Sequence, residues 1–554
     1  MVRRTPYGLL SVLVLLPVGC GSEAGVVSHR TDALDAVFVV PEVVAPAPDL
    51  GAGVDADDGL EDVVIVADAE VPEDVWEELD TAADVAEAAD VVESEDLAAE
   101  VAEDVGLDEV ADAVKDVPAP VCSMVAAPAP VADAPLDPVD PTGTVQTTTA
   151  AGFTDDTLLG PAAGIRVATR REWGSAIVFF GQVGGATNVI DGNDTGREVQ
   201  VAVYDPARAM QGCAWNASCQ VAPSSCPVSI TYLGWNPVQG GNECNVGSGT
   251  EAVLNAPGLL AADVRPLQWN PDWSEPTCIN DGCTKPTEPG DVRLHQRLRF
   301  VHTHIVELSL DVENLTDLDH APTAQEFPTM YAAYGASGLG NYGTLLDGDG
   351  AAVTIDQPAN DGFFVKDFTS PSGWVSLQNA KLDYGVGLYN ESRLSGWQGW
   401  QKAGVFNNVR AKLAFGLGPK AHVRARAYLL LGSFETQKGL AAWLVQHLAP
   451  FGTLDTPAAE ATVGTTFDVA GWVLDDGAVV ALELRVDGQK AADLALAVPR
   501  PDVCAAWPGY AMCVGAVGFA TTVTVTPCDH LLEVVATDDL GNTRVVGSGR
   551  VHVE

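Results

Sequence analysis

Between residues 293 and 310 the chain reads RLHQRLRFVHTHIVELSL, with apolar and polar residues taking turns. A period of two places successive side chains on opposite faces of an extended strand. If the strand stays extended throughout, one face carries Leu294, Gln296, Leu298, Phe300, His302, His304, Val306, Leu308 and Leu310, and the other Arg293, His295, Arg297, Arg299 and Glu307. Comparable short runs, GSAIVFFGQVGG, NVIDGNDTGREVQVAVY, GVGLYN and HVRARAYLLLG, recur between turn signals rich in Gly, Asn and Asp. A helical period is convincing only in TQKGLAAWLVQHL, at the end of this stretch. The pattern predicts an all-β fold with a large antiparallel sandwich over residues 150–452, a length that buries an ample core. It then restarts as GWVLDDGAVVALELRVDGQKA, VGFATTVTV and HLLEVVATDDLGNTRVVG, whose Asp-Asp-Gly and Val-Asp-Gly turns predict a small β-sandwich over residues 453–554.

No such pattern precedes residue 150. Residues 20–149 are built mostly of Ala, Val, Asp, Glu and Pro, as in DVWEELDTAADVAEAADVVESEDLAAEVAEDVG. Residues 21–140 hold 33 acidic and 2 basic side chains, which accounts for 31 of the 47 net negative charges of the whole chain. Self-repulsion and near absence of aromatics leave little to set against the entropy of ordering, so a disordered acidic tether is expected. The acid excess argues against a nucleic-acid partner. No D-x-D-x-D-G loop organises these carboxylates around an ion.

The chain opens MVRRTPYGLLSVLVLLPVGCGSEAG, where Arg3 and Arg4 precede an apolar run that ends in small residues before Cys20. This is the layout of a secretory signal over residues 1–19. With the cysteine directly after LLPVG it resembles a bacterial lipoprotein signal, which implies a lipid anchor on Cys20 as the protein's contact with a membrane. Gly21 and Ser22 offer no aspartate, so the resemblance implies the outer membrane, facing the periplasm or the cell surface; ordinary secretion is the alternative. Export agrees with the 11 cysteines. Without Cys20 ten remain, and close spacings make Cys213 with Cys219, Cys226 with Cys244, Cys278 with Cys283 and Cys504 with Cys513 natural short staples. None of these spacings is the C-x-x-C of a zinc site, and nothing else calls for a metal or a cofactor.

GREVQ at 196–200, WNPVQGGN at 235–242, RPLQWNP at 265–271, QEFPTMY at 325–331 and ARAYLLLG at 425–432 resemble a set of bacterial exported proteins. The strand order over most of residues 155–450 is similar to the galactose mutarotase-like supersandwich of aldose epimerases and of domains in polysaccharide lyases and glycosidases. The resemblance implies a broad concave sheet face and a connection with carbohydrate. The C-terminal stretch, with ATDDLGN before its last strand, resembles a bacterial immunoglobulin-like domain, usually a spacer or adhesion module. Asp538 and Asp539 could touch calcium in a related module, but no further ligands are evident.

Two groups of residues are candidates for chemistry. His302 and His304, on one strand face about 7 Å apart, could hold a metal or act as an acid/base pair, or be ordinary hydrogen-bonded histidines. His320 lies near Glu326, and a histidine acid with a glutamate base is the logic of mutarotase-like epimerases; the alternative is a Glu326 that caps or pairs with an arginine of the sheet. The arginine-rich face of 293–299 could bind acidic sugars or simply pair with neighbouring carboxylates. The second group is aromatic and amide: Trp235, Asn236, Gln239 and Asn242, then Trp269, Asn270 and Trp273, with Trp397 and Trp400 in NESRLSGWQGWQ. Flat rings and planar amides suit the apolar faces and hydroxyl rims of sugars, although tryptophans also serve as core and loop anchors.

The expectation is therefore an envelope lipoprotein that binds a glycan without catalysis. A carbohydrate-active enzyme, an epimerase, lyase or glycosidase using the histidines and Glu326, is the second reading. The third is a structural or adhesion protein with a protein partner on its C-terminal domain.

Overall fold

Alternation of apolar residues every second position produces 27 strands among the described residues. The computed structural model describes residues 143–554 apart from 162–163, 193–195, 206–232, 237–246, 270–288, 335–340, 356–363 and 403–405; of 233–236, 268–269, 364 and 402 it describes the backbone. The acidic stretch, Cys20, Gln239, Asn242, Asn270, Trp273 and the cysteines from 213 to 283 thus lie outside the described residues.

One sheet of 11 strands runs in the order Thr144–Ala150, Phe153–Leu159, Ile165–Arg170, Ala176–Gln182, Val199–Asp205, His320–Ala332, Phe406–Leu417, Gly396–Lys402, Phe364–Phe368, with Leu233–Asn236 and then Leu267–Trp269 branching from Val199–Asp205. A second sheet of eight runs Thr344–Asp347, Trp374–Gln378, Gly385–Asn390, His422–Gly432, Ile305–Asn314, Val292–His302, Leu259–Val264, Thr250–Ala256. Their facing sides share one core, in which Val201, Phe327, Leu413 and Phe415 of the first sheet join Leu298, Leu308, Leu388 and Leu429 of the second. Burying each such side chain stabilises the fold by roughly 1.5–3 kcal/mol.

The other face of the eight-stranded sheet is covered at one end by the helix Phe434–His447. Ser433 caps its N-terminus, the hydroxyl accepting from the Thr436 amide. Leu440, Ala441 and Leu444 pack on Ile305, Tyr389 and Tyr428. Further along, Arg293 pairs with Glu251 and Glu313, Arg299 with Glu307, and Arg424 with Asp311. This strand face therefore satisfies most of its charge internally.

The C-terminal residues form a smaller sandwich. Phe451–Thr456, Thr466–Leu474 and Gly518–Thr524 make one sheet, and Ala461–Val463, Thr543–Val553, Cys528–Asp538, Val479–Val486 and Gln489–Asp493 the other. Phe519, Leu484, Leu532 and Val551 fill the space between them. Cys504 and Cys513 are disulfide-bonded, pinning the segment that carries Trp507 and Tyr510. Cys528 is disulfide-bonded as well.

This sandwich docks on the larger one through a buried polar knot. Glu391 accepts from the hydroxyls of Tyr428 and Tyr510. The Arg426 guanidinium lies 4.1 Å from the Phe451 ring centre and 4.4 Å from that of Trp507, beside Glu391. Burial raises the Glu391 carboxyl pKa, against the pull of Arg426. Burial and the neighbouring carboxylates raise Asp475 and Asp476 to about 7. Asp538 and Glu391 are among those neighbours.

A raised carboxyl pKa makes the native state bind protons that the unfolded chain, with a pKa of about 3.9, has already released. The stability this contributes is full below about pH 4 and lost as pH rises through 7. Thermal unfolding should therefore give a higher midpoint at pH 6 than at pH 8, with the difference reduced in Asp476→Asn. An unchanged pH dependence in that variant would remove Asp476 as the cause.

Candidate functional site on the outer face of the large sheet

A bulge sets the site. Strictly alternating residues three apart face opposite ways, yet Glu326 and Thr329 face the same way because the register shifts between them at Phe327-Pro328. Glu326 then stands opposite Lys412, and Thr329 opposite Arg410. The neighbouring strands continue these pairs into three rows across the sheet, on the face turned away from the shared core. One row is Ala202, Glu326, Lys412 and Gly396. The next is Gln200, Thr329, Arg410, Gln398 and Asp367. The third is Tyr331, Asn408, Trp400 and Val365.

A sheet face this polar demands partners, and most are supplied laterally. Tyr204 Oη donates to Glu326 Oε1 at 2.7 Å, and Arg410 Nη1 meets the same oxygen at 3.0 Å. Arg410 Nη1 also donates to Gln398 Oε1, whose Nε2 donates to Asp367 Oδ1, both at 2.9 Å. A hydrogen-bonded chain therefore runs Tyr204, Glu326, Arg410, Gln398, Asp367 across five strands. The Arg410 guanidinium stacks 4.3 Å from the centre of the Trp400 ring. Glu326, Thr329 and Arg410 are buried, Lys412 and Gln398 partly exposed, and Asp367 exposed, so the chain leads from interior to rim. Burial raises the Tyr331 phenol pKa above its ordinary value. Gln325 points the other way and replaces a missing rung of the ladder, its amide accepting from the Tyr204 N–H and donating to the Tyr204 carbonyl.

The histidine candidates are not brought to Glu326. His320 pairs with Leu417, a core position, and its Nδ1 lies 2.7 Å from Asp205 Oδ2 on the core side of the sheet, both side chains 2% exposed. His302 and His304 do not continue one strand: Val292–His302 ends there, Thr303 and His304 form the turn, and Ile305–Asn314 returns alongside. The polar hairpin tip breaks the expected common face, and the two rings sit 6.3 Å apart on the eight-stranded sheet, His302 against Trp443. Among the described residues no group of three or more His, Cys, Asp or Glu side chains is placed to hold a metal. Glu326 does pair with an arginine of the sheet, the plainer of its two expected roles.

The aromatic candidates also separate. Trp397 is 3% exposed in the shared core, so it offers no ring to solvent. Trp400, three residues on, lies on the opposite face, but it is 2% exposed and Arg410 already covers its ring. The backbones of Trp235 and Trp269 lie on the strands branching from Val199–Asp205, Trp235 opposite Val203 and Trp269 opposite Gly234, with Asn236 opposite Leu267. Arg410, Lys412 and Tyr204 were not singled out in the sequence. A usable signal was FNNVRAKLAFGL, where Asn408, Arg410 and Lys412 recur at every second position.

No family model matches this chain, and no curated protein does. Among solved structures it is similar to a putative aldose 1-epimerase from Klebsiella pneumoniae, with a TM-score of 0.31 and 10% identity, covering 55% of this chain and 87% of that one. A galactose mutarotase-like protein from Clostridium acetobutylicum gives 0.31 and 8%, over 53% of this chain and 99% of that one. A polysaccharide lyase gives 0.28 and 7%, over 74% of this chain and 47% of that one. At these scores the likeness says nothing about what this chain binds.

Removing one partner from a buried ion pair strands the other, a loss of about 3–5 kcal/mol. Glu326→Leu should lower unfolding stability in urea by about that much. Adding Arg410→Met should restore part of the loss, giving a clearly non-additive double-mutant cycle. Additive losses would show that the two side chains do not depend on each other.

Proposed function

We propose that this chain is an exported, lipid-anchored envelope protein whose large sandwich binds a glycan on the outer face of the 11-stranded sheet. The observation that carries this reading is the chain of planar groups Arg410, Gln398 and Asp367, fixed by Glu326 and Tyr204 and leading to a partly exposed rim. Sugar hydroxyls both donate and accept, so they suit amides and carboxylates already held in place, where little side-chain entropy is lost on binding. Binding is favoured over catalysis because, among the described residues, no histidine stands on this face with Glu326. The signal-like N-terminus with Cys20 supports export and anchoring, and the acidic stretch would give the sandwich reach from a membrane. The C-terminal sandwich, immunoglobulin-like in its sequence pattern, would act as a spacer or hold a protein partner.

The full chain should be retarded in native gels containing at least one plant, algal or bacterial polysaccharide, with no new reducing ends or unsaturated products. Gln398→Ala should weaken that retention about five- to tenfold, in line with a hydrogen bond worth about 1 kcal/mol or slightly more. Trp235→Ala and Trp269→Ala extend the test to the branching strands. Product formation lost in Glu326→Gln would replace binding with catalysis, and no retention anywhere in the panel would refute the glycan reading and turn attention to a protein partner.

A further inference from the structure

Arg410 and Lys412 stand two residues apart on the polar face, but their surroundings differ. Arg410 is held by Glu326, Gln398 and the Trp400 ring. The Lys412 ammonium makes no hydrogen bond and no ion pair among the described residues, and the Tyr204 ring centre lies 5.7 Å away. Its cross-strand neighbour is Glu326, whose Oε1 is taken up by Tyr204 and Arg410. Burial lowers the Lys412 pKa, and the positive charge of Arg410 adds to this, while Glu326 and Asp367 act against it. A partly buried cation that makes no ion pair among the described residues, its facing carboxylate already engaged by Tyr204 and Arg410, is a site that a further anion would stabilise.

The strand on the other side of Lys412 leaves room for one. Gly396 stands directly opposite Lys412. Among the described residues, a Cβ built on Gly396 would meet only the Phe368 carbonyl oxygen, at 3.8 Å, which leaves a notch in the row beside Lys412. Gly399, on the same strand but facing the core, is the contrast: a Cβ there would come within 2.5 Å of Ile355 Cδ1. Close packing explains Gly399, whereas among the described residues no side chain packs over Gly396.

We propose that Lys412 and the notch over Gly396 form a subsite for an anionic oxygen group of the ligand, the carboxylate of a uronate or a sulfate ester. This rests on the glycan-binding reading and narrows it to acidic glycans. The rim completes the recognition: the carboxylate or sulfate meets Lys412, while hydroxyls of the same or the adjoining sugar meet Gln398 and Asp367.

The test uses the full chain in affinity gels with polygalacturonate, a sulfated galactan and a neutral galactan. The expected result is retention by one of the two acidic polymers at least tenfold tighter than by neutral galactan, weakening as salt is raised. Polygalacturonate and the sulfated galactan distinguish carboxylate from sulfate. Lys412→Met should weaken acidic binding tenfold or more and flatten its salt dependence, with Lys412→Arg restoring much of it. Gly396→Val should weaken it similarly by filling the notch, and carries the test if Lys412→Met fails to fold. Equal retention on neutral galactan that is unchanged in Lys412→Met and Gly396→Val would overturn this subsite while leaving glycan binding intact. No retention by any polymer would overturn the subsite together with the reading on which it rests.

Discussion

A charged side chain placed on a buried sheet face must find its partners within that face, and Arg410 is where the large sheet meets this constraint. Its strand sits between His320–Ala332 and Gly396–Lys402, so the guanidinium can reach Glu326 on one side and Gln398 on the other. The Gln398 contact follows from the direct pairing of its strand with Gly396–Lys402, whereas the register shift at Phe327-Pro328 is what lets both Glu326 and Thr329 share the Arg410 face. Pro328 brings no amide hydrogen to the ladder, so the shift falls where a regular rung would be incomplete in any case. The bulge is thus part of the site: without it, one of the two rows would turn into the core.

The two sheets of the large sandwich solve the problem of their outer faces differently. The eight-stranded sheet covers one end with an amphipathic helix and the docked C-terminal sandwich, and pairs Arg293, Arg299 and Arg424 with carboxylates on adjacent strands. The pairs of Arg293 and Arg424 are partly exposed and contribute little to stability individually. The 11-stranded sheet instead buries Glu326 and Arg410 on its outer face, where they cost desolvation and are useful only if held accurately. A polar chain that spans five strands, buried at Glu326 and Arg410, is difficult to explain as a stabilising device, since apolar residues of similar size would serve at least as well in its buried part. Ordering groups for contact with something polar is the role that such a chain performs better than a hydrophobic face.

Much of the architecture was legible in the sequence because burial on one side of a strand writes a period of two. Leu294, Gln296, Leu298 and Phe300 do face inward and Arg293, His295, Arg297 and Arg299 outward, as that period requires. The helix near residues 436–448 was equally visible, and the Cys504–Cys513 staple is one of the pairings that close spacing suggests, although spacing alone does not fix connectivity. What failed was continuity. Thr303 and His304 carry no glycine, asparagine or proline, so nothing marked the hairpin tip that splits the alternating run. Trp397 and Trp400 show a related effect: three apart on a regular strand, they must point to opposite faces, so these two cannot form one platform.

The site itself was half legible. Glu326 drew notice for its chemistry, and its partner Arg410 did not, because a periodic Asn408, Arg410, Lys412 in an otherwise apolar strand resembles an ordinary solvated face. Which way that face points depends on the strands on either side, one the preceding strand of the hairpin and the other residues 320–332, which come from far earlier in the chain and pair in turn with 199–205. Local pattern therefore identifies the residues able to line a site, whereas register decides which of them meet. Lys412 shows the difference most clearly. Glu326 comes from a distant stretch of chain and Gly396 from the preceding strand of the same hairpin, and it is their alignment across three strands that sets the ammonium beside the Gly396 notch, with no ion pair among the described residues.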